Sequence, residues 1–143
     1  MTCNILLVED SPTDAAIMTA AFQGIGYSGQ INLVQDGIDA INFLEQAVSD
    51  DQVEVPQLIL LDLNLPRKSG HEMLRDIKGN FQWQHIPVIV FSSSSRSVDI
   101  DKSYQLNANA YITKPIVLED YQLTAQRIHD FWLKTAKLSS ECD

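Results

Sequence analysis

Five short apolar runs, each followed by a longer segment of helical character, constrain the fold more than any other feature of this 143-residue chain. Strands that alternate with helices are typical of an α/β domain with a parallel sheet. Three of the runs are continuous enough to be buried on both faces, as parallel strands require. The predicted strands are residues 4–8, 31–35, 58–62, 86–91 and 110–113.

Helix signals lie between the predicted strands. Ser11 can cap a first helix with Pro12 at its first position, and that helix should end near Gly24 or Gly26. Asn107 accepts the left-handed conformation that ends a helix, so it should close the fourth one. The other helices are predicted after Asp36-Gly37, from Gly70, over residues 98–106 and after Pro115.

The last predicted helix, about residues 117–138, carries one apolar stripe at alternating steps of three and four residues. Its first half is expected to cover the sheet. Its second half places large aromatic side chains where a five-stranded domain has little core left to receive them. The stripe therefore either covers the sheet throughout or forms a partner or dimer surface. The candidate interface residues are Tyr121, Ile128, Phe131 and Trp132.

Length and charge exclude several classes of function. A chain of 143 residues fits one domain, with a core over about residues 3–123. No apolar stretch approaches the roughly 20 residues of a membrane helix, and no basic leader precedes the first strand, so we expect a cytoplasmic protein. The formal net charge of −9 would repel a phosphate backbone, which disfavours nucleic-acid binding.

Polar side chains lie at the carboxyl ends of four of the five predicted strands. They are Glu9-Asp10, Asp62, Ser92-Ser93 and Thr113-Lys114. Each pair or residue alone has an ordinary explanation as a helix cap, a turn residue or a solvated charge. Because the carboxyl ends of parallel strands meet at one edge, where ligands bind in α/β proteins, the four together predict a functional site.

Three carboxylates at one edge repel one another and need positive charge nearby. One divalent cation and the ammonium of Lys114 would balance them. Ligands that are all oxygen favour a hard cation such as Mg²⁺ over Zn²⁺. The chemistry that this set implies is phosphoryl transfer, with Lys114 and the Ser92 hydroxyl holding phosphoryl oxygens and Asp62 as nucleophile.

The segments "ILLVEDS", "LILLDLNLPRKSG", "PVIVFSS" and "AYITKP" together resemble the receiver domain of two-component response regulators over nearly the whole chain. The resemblance implies a doubly wound, flavodoxin-like fold with strand order 2-1-3-4-5. It implies that Asp62 accepts the phosphoryl group and that Mg²⁺ is held by Glu9, Asp10, Asp62 and the backbone carbonyl of Asn64. The protein would then be no enzyme beyond its own phosphorylation and dephosphorylation.

The same resemblance assigns roles to three further residues. Lys114 matches the lysine of the family, and its bond to Pro115 is expected to be cis. Ser92 and Tyr111 match the hydroxyl and aromatic positions that couple phosphorylation to the surface of helix 4, strand 5 and helix 5.

More narrowly, "DLNLPRKSGHEML", "IPVIVFSSS" and the late "FWL" are similar to single-domain regulators that partner phytochrome histidine kinases of cyanobacteria and other bacteria. The expected partners are therefore a sensor histidine kinase, a second copy of the chain, and a downstream protein or phosphotransfer partner. Two alternatives remain. One is a Mg²⁺-dependent aspartyl-phosphate hydrolase, which Asn64 disfavours because that class carries a second Asp there. The other is a non-phosphorylated scaffold.

Overall fold

The sheet has five parallel strands in the order β2-β1-β3-β4-β5, which confirms the predicted order and the flavodoxin-like class. The computed structural model describes residues 3–50 and 52–139. The strands are β1 (Asn4–Val8), β2 (Gln30–Val34), β3 (Leu58–Leu61), β4 (Val88–Ser92) and β5 (Ala110–Thr113). β1 and β3 are central, so their carboxyl ends lie side by side at the middle of one edge.

Five α-helices connect or follow the strands. They are α1 (Pro12–Gly24), α2 (Gly37–Ser49), α3 (Gly70–Gly79), α4 (Ser97–Gln105) and α5 (Leu118–Ile128). Ser11 caps α1, since its hydroxyl accepts the Asp14 N–H at 3.2 Å. Asn107 follows α4 with φ +73°, as expected for a residue that ends a helix.

The two faces of the sheet bury separate apolar layers. Alternate residues of each strand point to opposite faces. One face packs mainly against α2 and α3, and its largest fully buried helix residues are Leu44, Met73, Leu74 and Ile77. The other packs against α1 and α5, and it includes Met18, Phe22, Ala125 and Ile128. Covered on both sides, the sheet leaves only its edges for a polar site.

β4 begins at Val88 and not at residue 86, a correction with a local cause. Ile86 closes a turn by donating its N–H to the Trp83 carbonyl at 2.9 Å. Pro87 has no N–H for a strand ladder, so regular pairing starts after it. The strand then extends to Ser92.

The C-terminal helix differs from its predicted form. After α5 the chain continues as a π-helix over His129–Thr135, and Ala136 is extended, so the helix ends before residue 138. Tyr121 and Ile128 are buried against α1 and the sheet. The prediction that these two residues form a partner surface is therefore wrong, because the domain's own core already covers them.

The predicted single domain of residues 1–143 includes positions 1, 2, 51 and 140–143, which lie outside the described residues. Among the helices of residues 3–50 and 52–139, none has the length and apolar character to cross a membrane.

Candidate functional site

Two carboxylates are brought together by the pairing of β1 with β3. Glu9 directly follows β1, and Asp62 directly follows β3. The Asp62 N–H donates to the Val8 carbonyl at 3.0 Å, which extends the pairing to the strand ends. Together with Asp10, these residues offer carboxylate oxygens that all lie within 4.8 Å of one another. The structure thus brings the three predicted metal-binding acids into one cluster.

Lys114 directly follows β5, an outermost strand, and its side chain reaches the same cluster. Its N–H donates to the Ser92 carbonyl at 2.7 Å, which continues the β4–β5 pairing. Its ammonium Nζ lies 2.5 Å from Glu9 Oε1 and 3.2 Å from Asp62 Oδ2. The Lys114 side chain is only 5% exposed, so the ammonium depends on these carboxylates in place of water.

Burial and charge alter the protonation of this cluster. Burial, with Asp62 beside it, raises the pKa of Glu9 to about 7, although Lys114 acts in the opposite direction. Burial alone would lower the pKa of Lys114, but the carboxylates of Glu9, Asp14 and Asp62 raise it above its ordinary value. Lys114 is therefore a fixed positive charge.

The donor set of the cluster fits a hard divalent cation. Glu9, Asp10 and Asp62 supply only carboxylate oxygens, which suit Mg²⁺ or Mn²⁺. Glu9 and Asp62 are buried, whereas Asp10 is exposed and leaves the cluster open on one side. One ammonium does not neutralise three carboxylates, so the cluster favours an added cation.

Asn64 lies in the loop that leads from β3 to α3, two residues after Asp62. Its N–H points to Asp62 Oδ1 at 3.4 Å. The loop folds back where the Gly70 N–H donates to the Leu63 carbonyl at 2.9 Å. Asn64 therefore stays beside Asp62, and its role as a metal ligand stays a prediction.

Ser92 and Tyr111 are joined through one residue, Ser94. The buried Ser92 hydroxyl accepts the Ser94 N–H at 3.2 Å. The Tyr111 hydroxyl donates to the Ser94 carbonyl at 2.7 Å. The Ser94 hydroxyl in turn donates to Asp99 at 2.5 Å, in the first turn of α4. A continuous set of hydrogen bonds thus links the end of β4 to α4.

Sequence reasoning missed one residue of the site and misjudged one bond. Asp14 lies 2.9 Å from Lys114 Nζ, although 100 positions separate the two in the chain. Its only local signal is its place in the first turn of a helix that starts at the functional edge of the sheet.

The predicted cis bond before Pro115 is wrong, since the described residues contain no cis peptide bond. Lys114 reaches the carboxylates with the ordinary trans geometry.

The remaining interface candidates, Phe131 and Trp132, differ in how far their side chains are exposed. Phe131 is 53% exposed. Trp132 is half-buried and packs against the layer under α1 and α5. Their rings form an edge-to-face pair with centroids 5.1 Å apart.

Comparison with known proteins gives a consistent result. The model of the response regulator receiver domain family matches residues 5–126. Response regulator Rcp1 of Synechocystis sp. is 40% identical over 134 residues, covering 94% of this chain and 91% of Rcp1.

Solved structures agree with the family match. The phosphorylated cyanobacterial phytochrome response regulator RcpA superposes with a TM-score of 0.91 at 38% identity, covering 98% of this chain and 100% of RcpA. The Mn²⁺-bound form of Rcp1 gives 0.87 at 38% identity, covering 96% and 99%. A receiver domain from Pseudomonas aeruginosa with a magnesium ion in its active-site cleft gives 0.70 at 28% identity, covering 89% and 97%.

Proposed function

Since the chain belongs to the response regulator receiver domain family, we propose that it is a phosphorylation switch in which Asp62 accepts a phosphoryl group from a sensor histidine kinase. Receiver domains interact with histidine kinases, and the phytochrome regulator RcpA matches this chain over 98% of its length. The kinase we propose is of the phytochrome type.

The observation that carries the proposal is the position of Asp62. Its carboxylate emerges from a central strand, faces the ammonium of Lys114 at 3.2 Å, and shares a cluster with two further acids. A nucleophilic carboxylate needs an adjacent positive charge to stabilise the phosphoryl oxygens that it approaches.

The phosphoryl transfer balances with one proton from solvent. An oxygen of Asp62 attacks the phosphorus of a phosphoimidazole, and an O–P bond forms as the P–N bond breaks. The imidazole nitrogen leaves with the electron pair and takes a proton from solvent. Lys114 donates a hydrogen bond to a phosphoryl oxygen, and Ser92 is placed to donate another after its hydroxyl turns from Ser94.

Glu9, Asp10, Asp62 and the carbonyl of Asn64 would hold Mg²⁺. When bound, the ion neutralises phosphoryl oxygens during transfer. The support for this assignment is the oxygen-only donor set and the metal-bound forms of related receivers.

The signal would leave the site through Ser94. If the Ser92 hydroxyl moves to the phosphoryl group, the Ser94 N–H loses its acceptor, and the bonds of Ser94 to Tyr111 and Asp99 must adjust. These bonds connect to α4 and β5, so the surface of α4, β5 and α5 would change.

We further infer a cytoplasmic single domain that self-associates and acts on a downstream protein or phosphotransfer partner. Its only chemical activity would be its own phosphorylation and dephosphorylation. Asn64 argues against a hydrolase, since its amide cannot serve as the acid or base that such an enzyme needs. A scaffold role is disfavoured because the acid cluster and Lys114 are intact.

Phosphorylation with a small donor tests the proposal. Wild-type protein incubated with Mg²⁺ and acetyl phosphate should gain one phosphoryl group by intact mass spectrometry. Asp62→Asn should gain none, whereas the exposed Asp120→Asn should behave as wild type. A wild-type chain that stays unmodified, or an Asp62→Asn variant that is modified as readily, would refute the proposal.

A further inference from the structure

A fourth carboxylate, that of Asp14, belongs to the site without belonging to the metal-binding cluster. Asp14 Oδ2 lies 2.9 Å from Lys114 Nζ. Its side chain is 34% exposed, so it lies on the solvent side of the Lys114 ammonium. The cluster with metal-ligand spacing contains Glu9, Asp10 and Asp62 only, as far as the described residues show.

The helix start explains why the Asp14 carboxylate is available. In a capping box, the third residue of the helix turns its side chain back to the capping residue's N–H. Here the Ser11 N–H points to Glu9 Oε2 at 3.3 Å, while Ser11 accepts the N–H of Asp14. The Asp14 side chain is therefore free of capping and reaches Lys114.

Counting donors shows what Asp14 adds. A lysine ammonium has three N–H bonds, and three carboxylates surround this one, from Glu9, Asp14 and Asp62. In the proposed function Glu9 turns to the metal ion, and Asp62 becomes an acyl phosphate and loses its carboxylate charge. Asp14 takes part in neither change.

We propose that Asp14 is a positioning residue for phosphoryl transfer, which retains the Lys114 ammonium at the site while Glu9 and Asp62 change partners. This inference rests on the proposed function. Without Asp14, no carboxylate would hold the buried ammonium while Glu9 and Asp62 change partners, and it would leave the geometry that the phosphoryl oxygens require.

Rate measurements with matched variants test the proposal. With acetyl phosphate and a Mg²⁺ concentration that saturates wild type, Asp14→Asn should phosphorylate Asp62 about tenfold more slowly than wild type, the typical effect of losing one charge-assisted hydrogen bond. Asp14→Glu keeps a carboxylate and should recover most of the rate. Glu45→Gln removes an equal charge from an exposed position on α2 and should leave the rate unchanged.

A second readout uses the protein with saturating Mg²⁺ and no phosphodonor, the state in which Glu9 and Asp62 would turn to the metal ion. The ammonium protons of Lys114 should give a slowly exchanging ¹⁵N-correlated NMR signal in wild type and in Glu45→Gln. The Asp14→Asn variant should broaden or lose this signal while its circular dichroism stays native. This readout separates a displaced ammonium from an unfolded helix start.

The outcomes distinguish the two proposals. If wild type is phosphorylated and Asp14→Asn reacts at the same rate, the positioning role is refuted and the switch stands. If the variant's slow rate recovers fully at higher Mg²⁺, Asp14 acts on metal affinity and the positioning role is again refuted. If wild type itself gains no phosphoryl group, the proposed function is refuted, and the positioning role that rests on it is refuted with it.

Discussion

Gly70 lies against the backbone that carries Asp62. A Cβ at this position would be 2.3 Å from the Asp62 carbonyl oxygen and 2.6 Å from Leu63 Cα. Both contacts are with backbone, which cannot move aside as a flexible side chain can. Gly70→Ala should therefore cost about 1–3 kcal/mol of unfolding free energy, measured by urea denaturation, and should slow phosphorylation of Asp62.

Gly79, at the other end of the same helix, is the matched control. A Cβ there meets nothing within 4 Å. Gly79→Ala should leave stability unchanged or raise it by about 0.5–1 kcal/mol, because alanine restricts the unfolded chain. Equal losses in the two variants would contradict the close approach of Gly70 to the Asp62 backbone.

His71 makes stability depend on pH. Burial lowers the pKa of His71 below 6.5, and the positive charges of Lys102 and Arg75 act in the same direction. The Ser103 hydroxyl donates to the Asp99 carbonyl at 2.8 Å, so it accepts from His71 Nε2, 3.1 Å away. The neutral ring therefore carries its proton on Nε2, and acidification adds a second proton that the fold disfavours.

The sign of the pH effect follows from this lowered pKa. The contribution of neutral His71 is complete above pH 6.5 and is lost as the pH falls below it, because the unfolded chain binds the proton more readily. Between about pH 8 and about pH 5.5, wild type should lose more unfolding free energy than His71→Gln. The exposed His85→Gln should keep the wild-type loss, and an identical loss in His71→Gln would contradict the prediction.

At the scale of elements, α3 and α4 differ in how they begin. Ser69 and Glu72 form a reciprocal capping box at the start of α3. Arg96 occupies the same position at α4 and makes no side-chain capping bond. Ser69→Ala should lower the unfolding free energy by about 1 kcal/mol, and Arg96→Ser should raise it by about 0.5–1 kcal/mol, in urea denaturation. The opposite order of stabilities would show that capping does not limit these helices.

Element types and the sheet edge could be predicted because they depend on local patterns. Continuous apolar runs predict buried strands, and strand ends predict where Asp62 and Lys114 emerge. The contact of Asp14 with Lys114 could not be predicted, because no local pattern fixes which way a first-turn carboxylate points. The π-helix after Ile128 could not be predicted either, because the spacing of its apolar residues is also typical of an α-helix. Burial of Tyr121 and Ile128 depends on α1, which lies far away in the sequence.

Considered as a whole molecule, the chain combines a strong negative charge with an exposed aromatic ring near its last helical turn. A net charge of −9 makes two copies repel each other, and salt screens that repulsion. Phe131 is 53% exposed and offers apolar area that a second copy can cover. The proposed self-association should therefore strengthen as salt concentration rises.

Phe131→Ala tests this surface without disturbing the core, whereas Trp132 packs against the core and is unsuitable. Sedimentation velocity at tens of micromolar should show association of wild type that weakens about tenfold in Phe131→Ala, as expected when one buried phenyl ring is lost. Phe81, 87% exposed in the loop between α3 and β4, supplies the control, and Phe81→Ala should associate as wild type does. A monomeric wild type, or equal weakening by both substitutions, would exclude this surface, because only a specific contact distinguishes one exposed ring from the other.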